Sequence, residues 1–287
     1  MILKKAIKVI IWLFILNLIF MLLLTLTTGF IKRDMIKHNL EKTALYFEQK
    51  PLFEYKINNY EFSMIHNYAD VMIMNIIGSA DTQDPSFAAI DAGIYVNMED
   101  TGKENRDLCS VVFDGKRSNA SYSRYWHGTM LFVRPLLILT DITGIRLINI
   151  CTMFIVTAMV IILMLRKKLY TAAFSYIAAN IMCSTVFVPL CIEYCSVFFI
   201  MNISCIILLC KKKIDMTLFF AAIGALTCFF DFLTTEIITL FVPLALYLII
   251  NKNSDIKGNF KDTVKYSFVW LTGVVEDELE KWLLLKG

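Results

Sequence analysis

The chain has 287 residues, 57% of them hydrophobic, and its formal net charge is only +3. Several apolar runs approach the roughly 20 residues that an α-helix needs to cross about 30 Å of hydrocarbon, which excludes an ordinary soluble domain. The cations lie at the edges of these runs and form no extended basic stripe, so the composition also excludes a nucleic-acid-binding surface.

The order of apolar and polar segments predicts an all-α integral membrane protein with about six transmembrane helices. Residues 1–30 hold the first, an apolar run that is too long for a typical signal peptide and lacks a small-residue cleavage site. Residues 31–142 form a large polar loop, and residues 143–250 hold helices two to six. Residues 251–287 are predicted to be a loop and a truncated span, because a charged run follows directly after the short apolar stretch Tyr266–Val275. The later spans are expected at 143–165, 169–187, 196–210, 216–230 and 237–250.

Basic clusters give the orientation. Arg166–Lys168 and Lys211–Lys213 close two of the spans, and short loops rich in Lys and Arg face the cytoplasm. This pattern predicts a multi-pass plasma-membrane protein with a cytoplasmic amino terminus. The 31–142 loop and the turn around Glu193, whose side chain is expected to be exposed, would then lie outside.

The loop is too long to be a mere connector and is expected to contain interfacial helices. A mixture of charged and apolar residues predicts one amphipathic helix from Asp34 that ends near Pro51. Tyr68–Ile77 is predicted to be a second helix, with apolar side chains available for burial. Residues 81–85 are turn-like. The polar run 99–119 is predicted to be a loop with a short strand at Ser110–Phe113.

His66 and Asp70 form the first candidate site. They are four residues apart and share one face of a helix. A carboxylate beside an apolar stripe can have a raised pKa and serve as a general base, with the histidine tuning it. The alternative is a solvated acid, or one that stabilises a helix start.

Asp231 and Glu236 flank the outer turn of a very apolar hairpin. Burying an acid without a partner costs several kcal/mol, so two acids at a membrane border are conspicuous. They are candidates for holding a metal or an arginine. Equally, Asp231 is a candidate helix cap or a marker of the water boundary.

The stretch RYWHGTMLFVRPLL is the third candidate site. On a helix, Arg124, His127 and Arg134 project within one sector, while Tyr125 and Trp126 belong to an aromatic side. This layout is typical of a helix in the membrane interface. Arginine forks suit an anionic headgroup such as a phosphate, whereas snorkelling side chains that merely anchor the helix are the alternative. Pro135 is expected to break or kink this helix.

Two of these stretches, Arg124–Asn149 and Asp231–Leu244, and more loosely Tyr68–Asn75, resemble segments of mostly uncharacterised multi-span membrane proteins of Gram-positive bacteria. The architecture as a whole resembles GT-C type integral-membrane glycosyltransferases, which take sugars from polyprenyl-phosphate carriers. The resemblance implies transfer of a sugar from such a lipid to a cell-envelope acceptor on the outer face, with Asp70 as general base or metal ligand and the cationic stretch at the carrier phosphate. A divalent metal is left open as a cofactor. The alternative is a non-catalytic protein: a binder or transporter of a lipid-linked substrate, or an inactive truncated relative.

Overall fold

The computed structural model of the chain describes residues 2–80, 84–99, 102–211, 213–230, 234–251 and 255–286. Within these ranges the fold is almost entirely α-helical, which confirms the predicted all-α class. The helices are α1 Ile2–Phe30, α2 Arg33–Glu48, α3 Asn67–Ser79, α4 Pro85–Asp91, α5 Glu104–Phe113, α6 Met130–Leu139, α7 Ile142–Arg166, α8 Tyr170–Met182, α9 Ile192–Cys210, α10 Met216–Phe230, α11 Ile237–Asn251 and α12 Ile256–Lys286. Short strands form two antiparallel pairs, β1 Phe53–Tyr55 with β2 Met64–His66 and β3 Gly93–Ile94 with β4 Ala120–Ser121.

Three described helices are long and apolar enough to cross a membrane: α1 (from Ile7), α7 and α9. The helices α6, α10 and α11 are apolar but shorter. Large hydrophobic side chains cover the outer faces of α1 and α7, where Phe14 is 51% and Phe154 is 74% exposed. A continuous exposed apolar surface of this kind is suited to lipid rather than to water.

The boundaries of the third and fourth predicted spans, 169–187 and 196–210, differ from the helices in the structure. Helix α8 ends at Met182 and a 3₁₀ turn covers Thr185–Leu190. The chain turns there because Ser184 adopts a left-handed φ of 50°. Helix α9 then begins at Ile192, not at Ser196, because the backbone N–H of Ile192 donates to the Asp70 carboxylate at 2.9 Å and starts the helix four residues earlier.

The carboxyl-terminal region is also different from the prediction. Instead of a short span that ends at Val275, α12 continues unbroken to Lys286. It packs backbone to backbone against α10, where a Cβ atom on Gly224 would lie only 2.1 Å from the carbonyl oxygen of Trp270. Glycine at the contact lets two helices approach this closely, as in membrane-embedded helix pairs.

Residues 31–142, the long segment between α1 and α7, are built around α3. Helices α2 and α3 lie where two helices were predicted, and α2 buries one face as an amphipathic helix does. All but two of the α3 residues are buried, so this helix is enclosed rather than amphipathic.

The strand predicted at Ser110–Phe113 is wrong, because those residues end helix α5. Asp107, Leu108, Val111 and Val112 are buried along one side of α5, which packs against α2 and α3. The hydrophobic stripe is short and is interrupted by polar residues, so it gave little periodic signal in the sequence.

Candidate functional site

Asp70 lies on α3 and is fully buried. Arg146, one turn into α7, donates from Nη2 to Asp70 Oδ2 at 2.7 Å and to Asn67 Oδ1 at 2.8 Å. Its Nη1 donates to the Tyr46 hydroxyl at 3.1 Å, and the guanidinium lies over the rings of Tyr46 and Phe47. Both charged groups are therefore enclosed by partners from three helices.

The second carboxylate oxygen of Asp70 is also engaged. Oδ1 accepts from the backbone N–H of Ile192 at 2.9 Å, and the N–H of Glu193 provides a further hydrogen bond. Burial raises the pKa of the Asp70 carboxyl, and the arginine and the two backbone donors oppose that rise. With no solvent exposure, Asp70 presents no oxygen to a substrate hydroxyl. Its contacts give it a structural role, joining α3 to α7 and to the start of α9.

His66 makes its polar side-chain contacts with Tyr194 and Glu193, and not with Asp70. Its ring lies within 3.1 Å of the Tyr194 hydroxyl, and Nδ1 is 3.8 Å from Glu193 Oε2. Burial lowers the pKa of His66, so the ring is neutral at pH 7. Glu193 is buried, 6% exposed, and the expectation that it is exposed is wrong because the α9 start folds back onto α3 and β2.

His66 and Tyr194 face a cavity of about 240 Å³, which we call the hairpin pocket because the β1–β2 hairpin forms one wall. The 3₁₀ turn and α9 form the others. Its lining residues are Glu61, Phe62, Met64, His66, Cys183, Ser184, Phe187, Val188, Cys191, Tyr194, Phe198 and Thr235.

The interfacial helix predicted to begin at Arg124 is wrong at its start, because residues 122–129 form a loop and α6 begins only at Met130. His127 adopts a left-handed φ of 55°. The backbone N–H of Gly128 donates to the carbonyl oxygen of Phe229 at 2.9 Å. A Cβ atom on Gly128 would lie 2.5 Å from the Phe229 ring and carbonyl, so only glycine fits there. The loop is held against α10 by this contact.

The cationic sector predicted for this stretch is consequently divided. Arg124 is exposed and lies over the Tyr125 ring, while Trp126 and His127 are buried. Arg134 is fully buried; its Nε donates to the carbonyl of Ile31 at 2.8 Å and Nη1 to that of Ile77 at 2.9 Å. The structure thus does not bring the three cations together. Helix α6 continues through Pro135 to Leu139, so the proline does not end the helix.

The far end of α12 reaches this loop. Lys281 is 2% exposed, donates from Nζ to the carbonyl of Tyr125, and lies 5.5 Å from the Trp126 ring centroid. Burial and the nearby Lys281 ammonium lower the pKa of His127 to about 3. Its Nε2 lies 2.8 Å from the Tyr122 carbonyl. Trp126 and His127 are therefore buried by contacts within the protein.

Of the two acids near the last hairpin, Asp231 lies outside the described residues. Glu236 is half-buried just before α11, and its carbonyl accepts from the N–H and the hydroxyl of Thr239. Within the described parts of the chain, no group of three His, Cys, Asp or Glu side chains is placed to hold a metal ion.

A larger cavity of about 510 Å³ lies between α6, α7, α9 and α10, and we call it the apolar groove. None of the described residues that line it is charged. They are Thr129, Phe132, Val133, Leu136, Ile145, Ile148, Asn149, Thr152, Ile192, Cys195, Ser196, Phe199, Ile200, Ile203, Ser204, Ile207, Phe219, Ala222, Ile223, Leu226 and Phe230.

Fold and site together define the class: an all-α protein whose apolar helices suit insertion into a membrane, the first of them near the amino terminus. Comparisons of the chain with protein-family models, with curated proteins and with solved structures find no match.

Proposed function

We propose that the protein binds the aliphatic chain of a lipid-linked substrate in the apolar groove. In this proposal the chain crosses the plasma membrane about six times, with a cytoplasmic amino terminus and with residues 31–142 on the outer face. The apolar groove is the observation that supports this proposal. It is a cavity of about 510 Å³, and two of the helices that border it, α7 and α9, are long enough to span a membrane.

The lining of the groove suits a hydrocarbon chain. Ile148, Ile203 and Phe219 contribute wide apolar walls, and the few polar groups are hydroxyls and one amide. Every methylene that leaves water for such a wall contributes about 0.8 kcal/mol, so a long isoprenoid or acyl chain is retained by many small contributions. A polar ligand would lose its hydration there without gaining partners.

Glycosyl transfer with Asp70 as the base is less well supported. General-base catalysis requires the carboxylate within hydrogen-bond reach of the acceptor hydroxyl, and the Asp70 oxygens are occupied by Arg146 and by two backbone N–H groups. Binding of the aliphatic chain of a polyprenyl-phosphate-linked substrate needs only the groove and no catalytic base. We therefore favour the non-catalytic function.

Photolabelling tests this proposal. The probe is a polyprenyl phosphate with a diazirine in its isoprenoid chain, applied to the purified protein in nanodiscs. Ala222→Trp places a large ring in the groove, whereas Ala179→Trp places the same ring on the exposed side of α8 and is the matched control.

We expect label on peptides that contain Phe199 or Phe219, a loss of about tenfold in Ala222→Trp, and unchanged labelling in Ala179→Trp. Equal labelling of the two variants would contradict binding in the groove. A diacyl phosphatidylglycerol probe that labels the groove as efficiently as the polyprenyl probe would contradict a lipid-linked substrate and indicate a bulk lipid.

A further inference from the structure

The hairpin pocket is a second cavity, on the opposite side of α9 from the apolar groove. Ile192, Ser196 and Phe199 line the groove, whereas Tyr194 and Phe198 line the pocket. At 100° per residue these two sets project from opposite faces of the helix. A ligand in the pocket therefore does not share contacts with a lipid chain in the groove.

The charge in the hairpin pocket is negative. Among the described lining residues there is no Lys or Arg, while Glu61 contributes a carboxylate that also accepts from the Tyr55 hydroxyl at 3.0 Å. The buried Glu193 carboxylate lies behind the His66 ring, at 3.8 Å. Because His66 is neutral, it does not offset these charges. The Glu61 and Glu193 carboxylates repel an anion such as a phosphate, and no described Lys or Arg of the lining offsets that repulsion.

The other walls are aromatic. Phe62, Phe187, Phe198 and the Tyr194 ring border the cavity. The negative face of an aromatic ring attracts a cation, and organic ammonium groups are recognised in pockets of this composition. The hydroxyl oxygen of Thr235 is buried and has no hydrogen-bond partner among the described residues, so the pocket also offers a polar contact for a ligand.

We propose that the hairpin pocket binds a small organic ammonium group through its aromatic walls and the Glu61 carboxylate, with the buried Glu193 carboxylate adding negative charge behind the His66 ring. Two sources carry that chemistry, a free amine such as choline and the headgroup of a membrane lipid. This site is independent of the lipid chain proposed for the groove, so either proposal can fail without the other.

A comparison of choline with its neutral isostere 3,3-dimethylbutan-1-ol distinguishes the effect of the ligand's charge on binding from the effect of its shape. Binding of each to the full-length protein in a non-ionic detergent is measured by calorimetry, with inorganic phosphate as a third ligand. Glu61→Gln and Phe62→Leu change exposed side chains of the pocket, Phe62 being 63% exposed, and both are expected to leave folding intact. Glu54→Gln makes the same charge change on the same hairpin, outside the pocket, and is the control.

We expect choline to bind and the isostere and phosphate to bind at least about tenfold more weakly. Glu61→Gln and Phe62→Leu should each weaken choline binding several-fold, and Glu54→Gln should leave it unchanged. Equal affinity for the isostere, tighter binding of phosphate, or wild-type affinity in both pocket variants would overturn the proposal.

Nanodiscs then distinguish the two sources of the ammonium group. If phosphatidylcholine discs abolish binding of free choline while phosphatidylglycerol discs preserve it, the natural occupant is a lipid headgroup. If choline binds equally in both kinds of disc, the site takes a free amine. Failure of choline to bind in either disc and in detergent would overturn the proposal.

Discussion

Asp70 and Arg146 form a buried ion pair between residues 76 positions apart, with Oδ2 and Nη2 at 2.7 Å. The pair connects α3 to α7, and the other Asp70 oxygen fixes the first turn of α9. Three helices thus meet at one carboxylate. These contacts give Asp70, the candidate acid of residues 31–142, a structural role.

A double-mutant cycle tests that role. Removing one partner of a buried pair leaves an uncompensated charge, so Asp70→Leu and Arg146→Met alone should each lower the free energy of unfolding by about 3–5 kcal/mol. The double variant replaces both charges with apolar groups and should recover much of the loss. Thermal unfolding in detergent measures all four proteins. Strictly additive losses would mean that the two residues are not coupled.

Arg134 should behave as a helix-end clamp. It donates from two separate nitrogens to carbonyls at the ends of α1 and α3. A lysine ammonium has only one nitrogen and cannot reproduce this geometry, so Arg134→Lys should destabilise the protein by about 1.5–3 kcal/mol. Arg124→Lys, at an exposed position, is the control and should change the unfolding temperature little. Similar unfolding temperatures for the two variants would argue against the clamp.

The contact between α10 and α12 should be sensitive to a single methyl group. A Cβ atom on Gly273 would lie 2.2 Å from the Ala221 carbonyl oxygen, so Gly273→Ala should force the helices apart and lower stability by about 1–3 kcal/mol. Gly258→Ala, on the same helix, meets its nearest neighbour at 3.7 Å and should be neutral. Chemical denaturation of both variants in mixed micelles measures the difference, and a neutral Gly273→Ala would refute the close approach.

His127 should make the fold sensitive to acid. Its pKa falls from 6.5 to about 3 on folding, so the unfolded chain binds the proton first and stability is lost as the pH drops through this window. The slope contributed by this group is at most about 1.4 kcal/mol per pH unit.

His127→Asn tolerates the left-handed backbone and should flatten this pH dependence between pH 6 and pH 4. His38→Asn, on the exposed side of α2, serves as the control. Unfolding temperatures recorded across that range give the comparison, in which titrating carboxylates contribute equally to every variant. Parallel pH profiles for wild type and His127→Asn would count against a buried neutral imidazole.

The sequence predicted the elements that carry a strong local pattern. Hydropathy predicted α1 and α7, the mixture of charged and apolar residues predicted α2, and the apolar side chains of Tyr68–Ile77 predicted α3. It did not predict α5, whose buried side is short and broken by polar residues, or the α9 start, which depends on a carboxylate 122 positions away.

Local sequence patterns could not predict that Asp70 and Arg146 form a pair. Asp70 was recognised as unusual, and Arg146 was noticeable as a charge within an apolar span, where a partner is expected. Nothing in the intervening residues indicated that they face one another. The groove and the hairpin pocket likewise arise where helices distant in the chain meet, so no spacing in the sequence could reveal either cavity.

The most direct test of lipid-chain binding is native mass spectrometry of the protein released from membranes with mild detergent. We predict that wild type and Ala179→Trp retain a bound polyprenyl-phosphate-linked lipid. Ala222→Trp, whose added ring occupies the groove, should be recovered without it. Retention of the same lipid by Ala222→Trp, or its absence from wild type, would contradict the proposed function.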